Sequence, residues 1–147
     1  MSKLDVRIKM LDTEMEVPAY AHDGDAGLDL RSAIDFSLHP GERRLIPCGF
    51  AIAIPEGYAG LVIPRSGLAA KHGISVVNAP GLIDSGYRGE IKVILVNTDS
   101  ETTFEAARGD RIAQLMLIEI PQVKLSVVES LPDTDRGSQG FGSSGVQ

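Results

Sequence analysis

Asn78-Ala79-Pro80-Gly81-Leu82-Ile83-Asp84-Ser85-Gly86-Tyr87-Arg88-Gly89 separates two apolar, β-branched runs, Ile74–Val77 and Ile91–Val96. Short β-branched runs favour a pleated, half-buried surface, so both are expected to be strands. The insert is rich in Gly, Pro, Asn and Ser, which is turn chemistry. The stretch therefore predicts a long β-hairpin with an open mouth. Gly81, Gly86 and Gly89 permit positive φ and close approach of the backbone to another body. Free backbone N–H and C=O groups at such a mouth can read the edge of a flat polar ligand. One carboxylate, Asp84, and one ring, Tyr87, lie three residues apart there. Two readings stand for these residues alone: a solvated turn, or a binding site.

Turn signals recur about every ten residues along the rest of the chain, which suits an all-β sandwich or barrel. Val6, Ile8 and Met10 alternate with charged residues and predict a first strand with one wet face. A polar turn, 22–27, leads into Leu28-Asp29-Leu30, a short strand in which Asp29 faces away from both leucines. Asp29 reads first as a surface carboxylate on an edge strand, and alternatively as an acid facing a ligand or metal shell. Strands are also expected at 36–38, 43–47, 50–54, 61–63, 112–118 and 123–128.

One helix is expected after Pro64-Arg65, with Ser66 as N-cap and Gly73 as stop. A helix start with free amides, a hydroxyl and a neighbouring Arg suits phosphate oxygens; a capped helix with a solvated Arg is the plainer alternative. His72 is expected in its last turn. Nothing matches Gly-x-x-x-x-Gly-Lys-Ser/Thr, so a P-loop is excluded. The runs 91–96 and 112–118 are apolar on both faces, which suggests that one face meets another subunit. Gln114 shares a face with Ile112 and Met116, and a buried amide there needs partners, from backbone or from a phosphate or water. Arg108-Gly109-Asp110 reads as a turn leading into a strand.

The 147 residues suffice for one domain with a real core. Hydrophobic residues make up 43% and Trp is absent, so the core should be aliphatic. The formal net charge of −6 argues against a nucleic-acid polymer or an anionic membrane as partner. Local arginines can still bind a small anion. Cys48 is the single cysteine, so there is no disulfide framework. Met1–Met10 lacks a signal-peptide core, and no apolar run is long enough to span a bilayer, so a cytoplasmic location is expected. From Leu131 the chain turns to Pro, Asp, Gly, Ser and Gln, a composition expected to be flexible. That tail still carries Arg136 and Phe141 among its glycines. An anion-binding helix start, a carboxylate on a hairpin and an Arg-aromatic tail together suggest a nucleotide whose base and phosphates touch different segments.

Gly81-Leu82-Ile83-Asp84-Ser85-Gly86-Tyr87-Arg88-Gly89 resembles the third motif of the trimeric dUTP pyrophosphatases (dUTPases). Four further stretches match in the family's order: Ala26–Leu30, Pro64–Ala69, Gly109–Gln114 and Arg136–Gly145. The resemblance implies a jelly-roll-like β-barrel with one short helix and a flexible C-terminal arm. Residues 1–130 would form the barrel domain, and 131–147 an arm closing over a neighbouring subunit's site. It implies a homotrimer that hydrolyses dUTP to dUMP and pyrophosphate with Mg²⁺ on the triphosphate. Such an activity limits uracil incorporation into DNA and supplies dUMP for thymidylate synthesis.

Carried over position by position, Asp84 would orient and deprotonate the attacking water, and Gln114 would contact an α-phosphate oxygen. Tyr87 would stack beneath the deoxyribose. Asn78 and the backbone near Gly81 would read uracil. Arg65, Ser66 and Gly67 would bind phosphates, and Lys92 joins the implied substrate-binding set. Asp29 would support the Mg²⁺ water shell without ligating the metal. Arg136 would grip the γ-phosphate, Phe141 would cap the uracil, and Gly142, Ser143 and Ser144 would donate to phosphate oxygens. Gln139 departs from the small residue usual before Gly-Phe-Gly. A dCTP deaminase of the same fold would carry a Glu as its key acid-base residue, and a non-catalytic nucleotide-binding regulator would be marked by loss of Asp84. Here Asp84 is present.

Overall fold

The computed structural model describes residues 2–147 and is built almost wholly of strands. The first half runs β1 (Arg7–Met10), β2 (Leu28–Arg31), β3 (Phe36–Leu38), β4 (Arg43–Pro47), β5 (Phe50–Ala53) and β6 (Tyr58–Ile63). Then come α1 (Ser66–His72), β7 (Ile74–Val76), β8 (Gly81–Ile83), β9 (Lys92–Asn97), β10 (Phe104–Ala106) and β11 (Arg111–Glu119). All pairings are antiparallel. They form a four-stranded sheet β2-β11-β6-β8, a three-stranded sheet β4-β9-β7, and the pairs β1-β5 and β3-β10. The strands wrap one core, yet their ladders remain four sheets and do not join into one closed hydrogen-bonded ring. Most strands are three to six residues long, so each ladder ends at a turn before it reaches the next.

The core is aliphatic, as the composition requires. Leu30, Leu38, Ile46, Ile74, Leu95 and Leu115 are buried, and Phe50 is the largest side chain among them. Each such residue contributes about 1.5–3 kcal/mol of apolar burial. Cys48 belongs to this core. Burial, reinforced by the negative Glu90, pushes its thiol pKa up to about 12, so it stays protonated and unreactive.

The predicted hairpin base is present. Ile74 pairs with Asn97, and Val76 with Leu95. The mouth differs from an open turn, because Gly81–Ile83 crosses to the other sheet and pairs with Gly60–Val62 of β6. The hairpin thus stitches the two larger sheets together. Gly81, Gly86 and Gly89 do not use the positive φ that glycine permits; a Cβ would press on Val62 and Asn78 at Gly81 and would collide with the Tyr87 ring at Gly89.

The helix begins one residue off the expected cap. Arg65 is the N-cap, extended at φ −89° and ψ 129°, and its carbonyl accepts the first helical bond from Ala69 at 3.0 Å. Ser66 is already helical and cannot cap with its hydroxyl. Gly73 does stop the helix, at φ 66°. Its carbonyl accepts bonds from both the Thr98 amide (2.9 Å) and hydroxyl (2.6 Å), fastening the helix end to the turn after β9. His72 lies in the last turn, against Phe104.

Asn97, the last residue of β9, is fully buried. Its amide donates to Leu38 O and Thr102 O, both at 2.9 Å, and its oxygen accepts from the Asp99 amide at 2.9 Å. This one side chain ties β9, β3 and the β9–β10 turn. Asn97→Ala leaves those backbone groups without partners, and should cost about 1–3 kcal/mol. Urea denaturation should show a lower midpoint with an unchanged slope.

The strand expected at 123–128 does not form. Val123, Leu125 and Val127 are exposed, with no ladder to join within the chain. The last tie to the sheets among the described residues is the Ile120 amide, which donates to Gly57 O at 2.8 Å. Among the described residues, no helix is long and apolar enough to cross a membrane.

Candidate active site

A cleft of about 380 Å³ opens where the crossing strand leaves the hairpin. Asn78, Gly81, Asp84, Tyr87 and Lys92 all line it, so the fold brings five of the expected residues together. Apolar walls come from Val62, Val76 and Ile83. A pocket with apolar walls and a few placed polar groups is the usual form of a small-ligand site.

The turn below the cleft explains the placement of Asp84 and Tyr87. The Tyr87 amide donates to Asp84 O at 3.1 Å, closing the turn. Arg88 braces it from outside, donating to Ser85 O at 2.6 Å and Tyr87 O at 3.1 Å. The Tyr87 hydroxyl donates to Glu90 O at 2.8 Å, and the Glu90 carboxylate accepts from the Gly49 amide at 3.0 Å. The Asp84 carboxylate is exposed and, among the described residues, has no hydrogen-bond or ion-pair partner. It is therefore available to a water or a ligand. Glu90 was missed by the sequence reading; the only signal was an acid at the start of a strand.

A second group lies at the other edge of the four-stranded sheet. Gln114 is opposite Asp29 on β2 and Ile63 on β6. The surface-carboxylate reading of Asp29 is overturned: Asp29 is 8% exposed, and its Oδ2 lies 3.3 Å from Arg111 Nε. Burial of the carboxylate is offset by that ion pair. Arg65 donates to Arg111 O at 3.2 Å. Gln114 is half-buried instead of buried, and its amide makes no hydrogen bond among the described residues. Arg31, Arg65 and Arg111 line a hollow of about 390 Å³ beside α1, where Ser66 and Gly67 are exposed. Arg111 was not singled out from sequence, although it lies in the quoted Gly109–Gln114 motif.

The two groups do not meet within one chain. Asp29 and Asp84 belong to opposite edges of β2-β11-β6-β8, three ladder spacings of about 4.8 Å apart. Asp84 also leaves β8 at the Gly60 end of β6, whereas Arg65 follows the opposite end. Arg136, Phe141, Gly142 and Ser143 meet neither group. Arg136 Nε donates to Gln139 O at 2.8 Å within the arm, and Phe141 is fully exposed at φ 51°. Among the described residues, no three His, Cys, Asp or Glu side chains gather as a metal cage.

A model of the dUTPase family matches residues 13–145 of this sequence. The chain belongs to the dUTPase family. A deoxyuridine 5'-triphosphate nucleotidohydrolase of Thermobifida fusca is 54% identical over 140 residues, covering 95% of this chain and 78% of the relative. The solved structure of a point mutant of the Staphylococcus bacteriophage 80alpha dUTPase with dUpNHpp superimposes at a TM-score of 0.90, with 30% identity, 98% coverage of this chain and 100% of that one. A mutant dUTPase of S. aureus phage phi11, described with a structural Mg(II) ion, gives a TM-score of 0.82 at 27% identity, covering 88% of this chain and 100% of that one. These all-β neighbours are jelly-roll-like, which agrees with the fold class expected from the motifs.

Proposed function

We propose that this chain hydrolyses dUTP to dUMP and pyrophosphate, in the cytoplasm. The observation that carries the reading is the unpartnered Asp84 carboxylate beside Tyr87 in an apolar-walled cleft. Asp84 holds the attacking water and takes its proton as oxygen bonds to the α-phosphorus; the bond from the α-phosphorus to the bridging oxygen breaks, and pyrophosphate leaves. A carboxylate is a weak base for water, so positioning and neutralisation of phosphate charge must supply most of the barrier reduction. Tyr87 stacks under the deoxyribose and fills the space of a 2′-hydroxyl. Asn78 and the backbone at Gly81 read the uracil edge, and Lys92 adds a cation at the rim. A mouth that closes on uracil's 5-position would exclude the 5-methyl of thymine.

Arg65, Ser66, Gly67 and Gln114 bind the phosphates. Their distance from Asp84 within one chain favours a site shared between copies, and the family resemblance makes that assembly a homotrimer in which one copy's hairpin faces another's phosphate group. The arm, 131–147, crosses to complete a site, with Arg136 on the γ-phosphate, Phe141 on the uracil ring and Gly142 and Ser143 donating to phosphate. Mg²⁺ fits as an ion carried on the triphosphate. Asp29 is already paired with Arg111, so it can support waters around such an ion but is poorly placed to cage it. When bound, the ion neutralises phosphate charge.

The test is incubation with each nucleoside triphosphate and Mg²⁺. Pyrophosphate should appear with dUTP and exceed that from any other nucleotide. Ammonia release from dCTP would instead indicate a deaminase, and binding without turnover would indicate a regulator.

A further inference from the structure

Gly89 lies in the turn after Tyr87, outside the cleft lining, and carries no side chain that could touch a ligand. A Cβ at this position would sit 2.5 Å from the Tyr87 Oη, 2.7 Å from Cζ and 3.0 Å from Cε1. Real Cβ contacts of that kind do not occur, so any L side chain at 89 must displace the ring or the turn. The crowding is local, since a Cβ at Gly86 in the same turn meets nothing within 4 Å. The phenol is therefore folded down over the Gly89 backbone and latched at its far end by the Glu90 carbonyl, 2.8 Å from the hydroxyl. Glu90 is in turn pinned through its carboxylate to the Gly49 amide at 3.0 Å. With Tyr87 still 45% exposed, this seat and latch fix the face that the ring offers to the cleft.

We infer that Gly89 is a positioning residue for sugar selection: its missing side chain is the seat that lets Tyr87 lie where a ribose 2′-hydroxyl would have to go. The inference rests on the sugar-gate reading of Tyr87 given above. A ring held in one pose excludes an added hydroxyl sterically, whereas a ring that can swing away does not. A merely apolar pocket rejects an added hydroxyl by only about 10².

The experiment compares kcat/KM for dUTP and UTP in the parent, Tyr87→Ala, Gly89→Ala and Gly86→Ala, with thermal melting to confirm folding. Tyr87→Ala and Gly89→Ala should both narrow the dUTP-to-UTP ratio by about tenfold or more. Gly86→Ala should leave the ratio near the parent's. A turn that was only destabilised would lower both substrates alike and leave the ratio intact, which overturns the inference. A parent that does not discriminate, or a Tyr87→Ala ratio equal to the parent's, overturns the gate itself and the inference with it. A narrowed ratio in Tyr87→Ala with an unchanged one in Gly89→Ala overturns the role of Gly89 alone.

Discussion

Asp84→Asn should bind dUTP nearly as well as the parent and turn it over ~10²-fold more slowly or worse, the scale of a lost general base. The substitution preserves shape. The Asp84 carbonyl that closes the turn belongs to the backbone, and its side chain holds no structural partner among the described residues. Stability should therefore be unchanged, and the loss should lie in kcat instead of KM. Pre-steady-state turnover with and without dUTP excess separates the two. A kcat within a few-fold of the parent would remove Asp84 from the water-activating role.

Most of the fold was legible because local pattern and tertiary pairing agree. The runs at 74–77 and 91–96 are β-branched, close in sequence and joined by turn residues, so their pairing could be read directly. The crossing strand 81–83 could not. It is three residues long, opens on Gly after Pro, and takes its ladder from β6, a partner that no local pattern names. Asp29 was misread for a related reason. Its position on an edge strand predicts exposure, and the arginine that buries it arrives on a strand near the other end of the chain.

The stretch 123–128 fails in the opposite way. Its alternation is real, with Val123, Leu125 and Val127 on one side, but a strand needs a neighbour, and this chain offers none there. Within the candidate site, Asp84 and Tyr87 were legible from one turn. Glu90 and Gly89 matter only through a ring's pose, which sequence does not display.

The largest all-or-none effect is expected from mixing two dead proteins. One is Asp84→Asn with its arm; the other is truncated after Asp135, with Asp84 intact and without Arg136 and Phe141. In the proposed trimer each homotrimer lacks an essential part at every site. In the single chain the arm makes no hydrogen bond or ion pair to the sheets among the described residues, so none of its contacts there competes with reaching ligand or another copy. If a site takes its hairpin and its arm from different subunits, any mixed cyclic trimer has one junction that pairs an intact hairpin with an intact arm. Random 1:1 exchange makes about three-quarters of trimers mixed, each with one good site of three, so roughly a quarter of parental activity should return. Co-expression or co-refolding is required, because a formed interface need not exchange on mixing. Native mass spectrometry of the products establishes that mixed trimers are present. Mixed trimers as inactive as their parents would mean that hairpin and arm come from the same chain. The exposed 121–131 segment would then have to fold back along its own sheets when nucleotide binds.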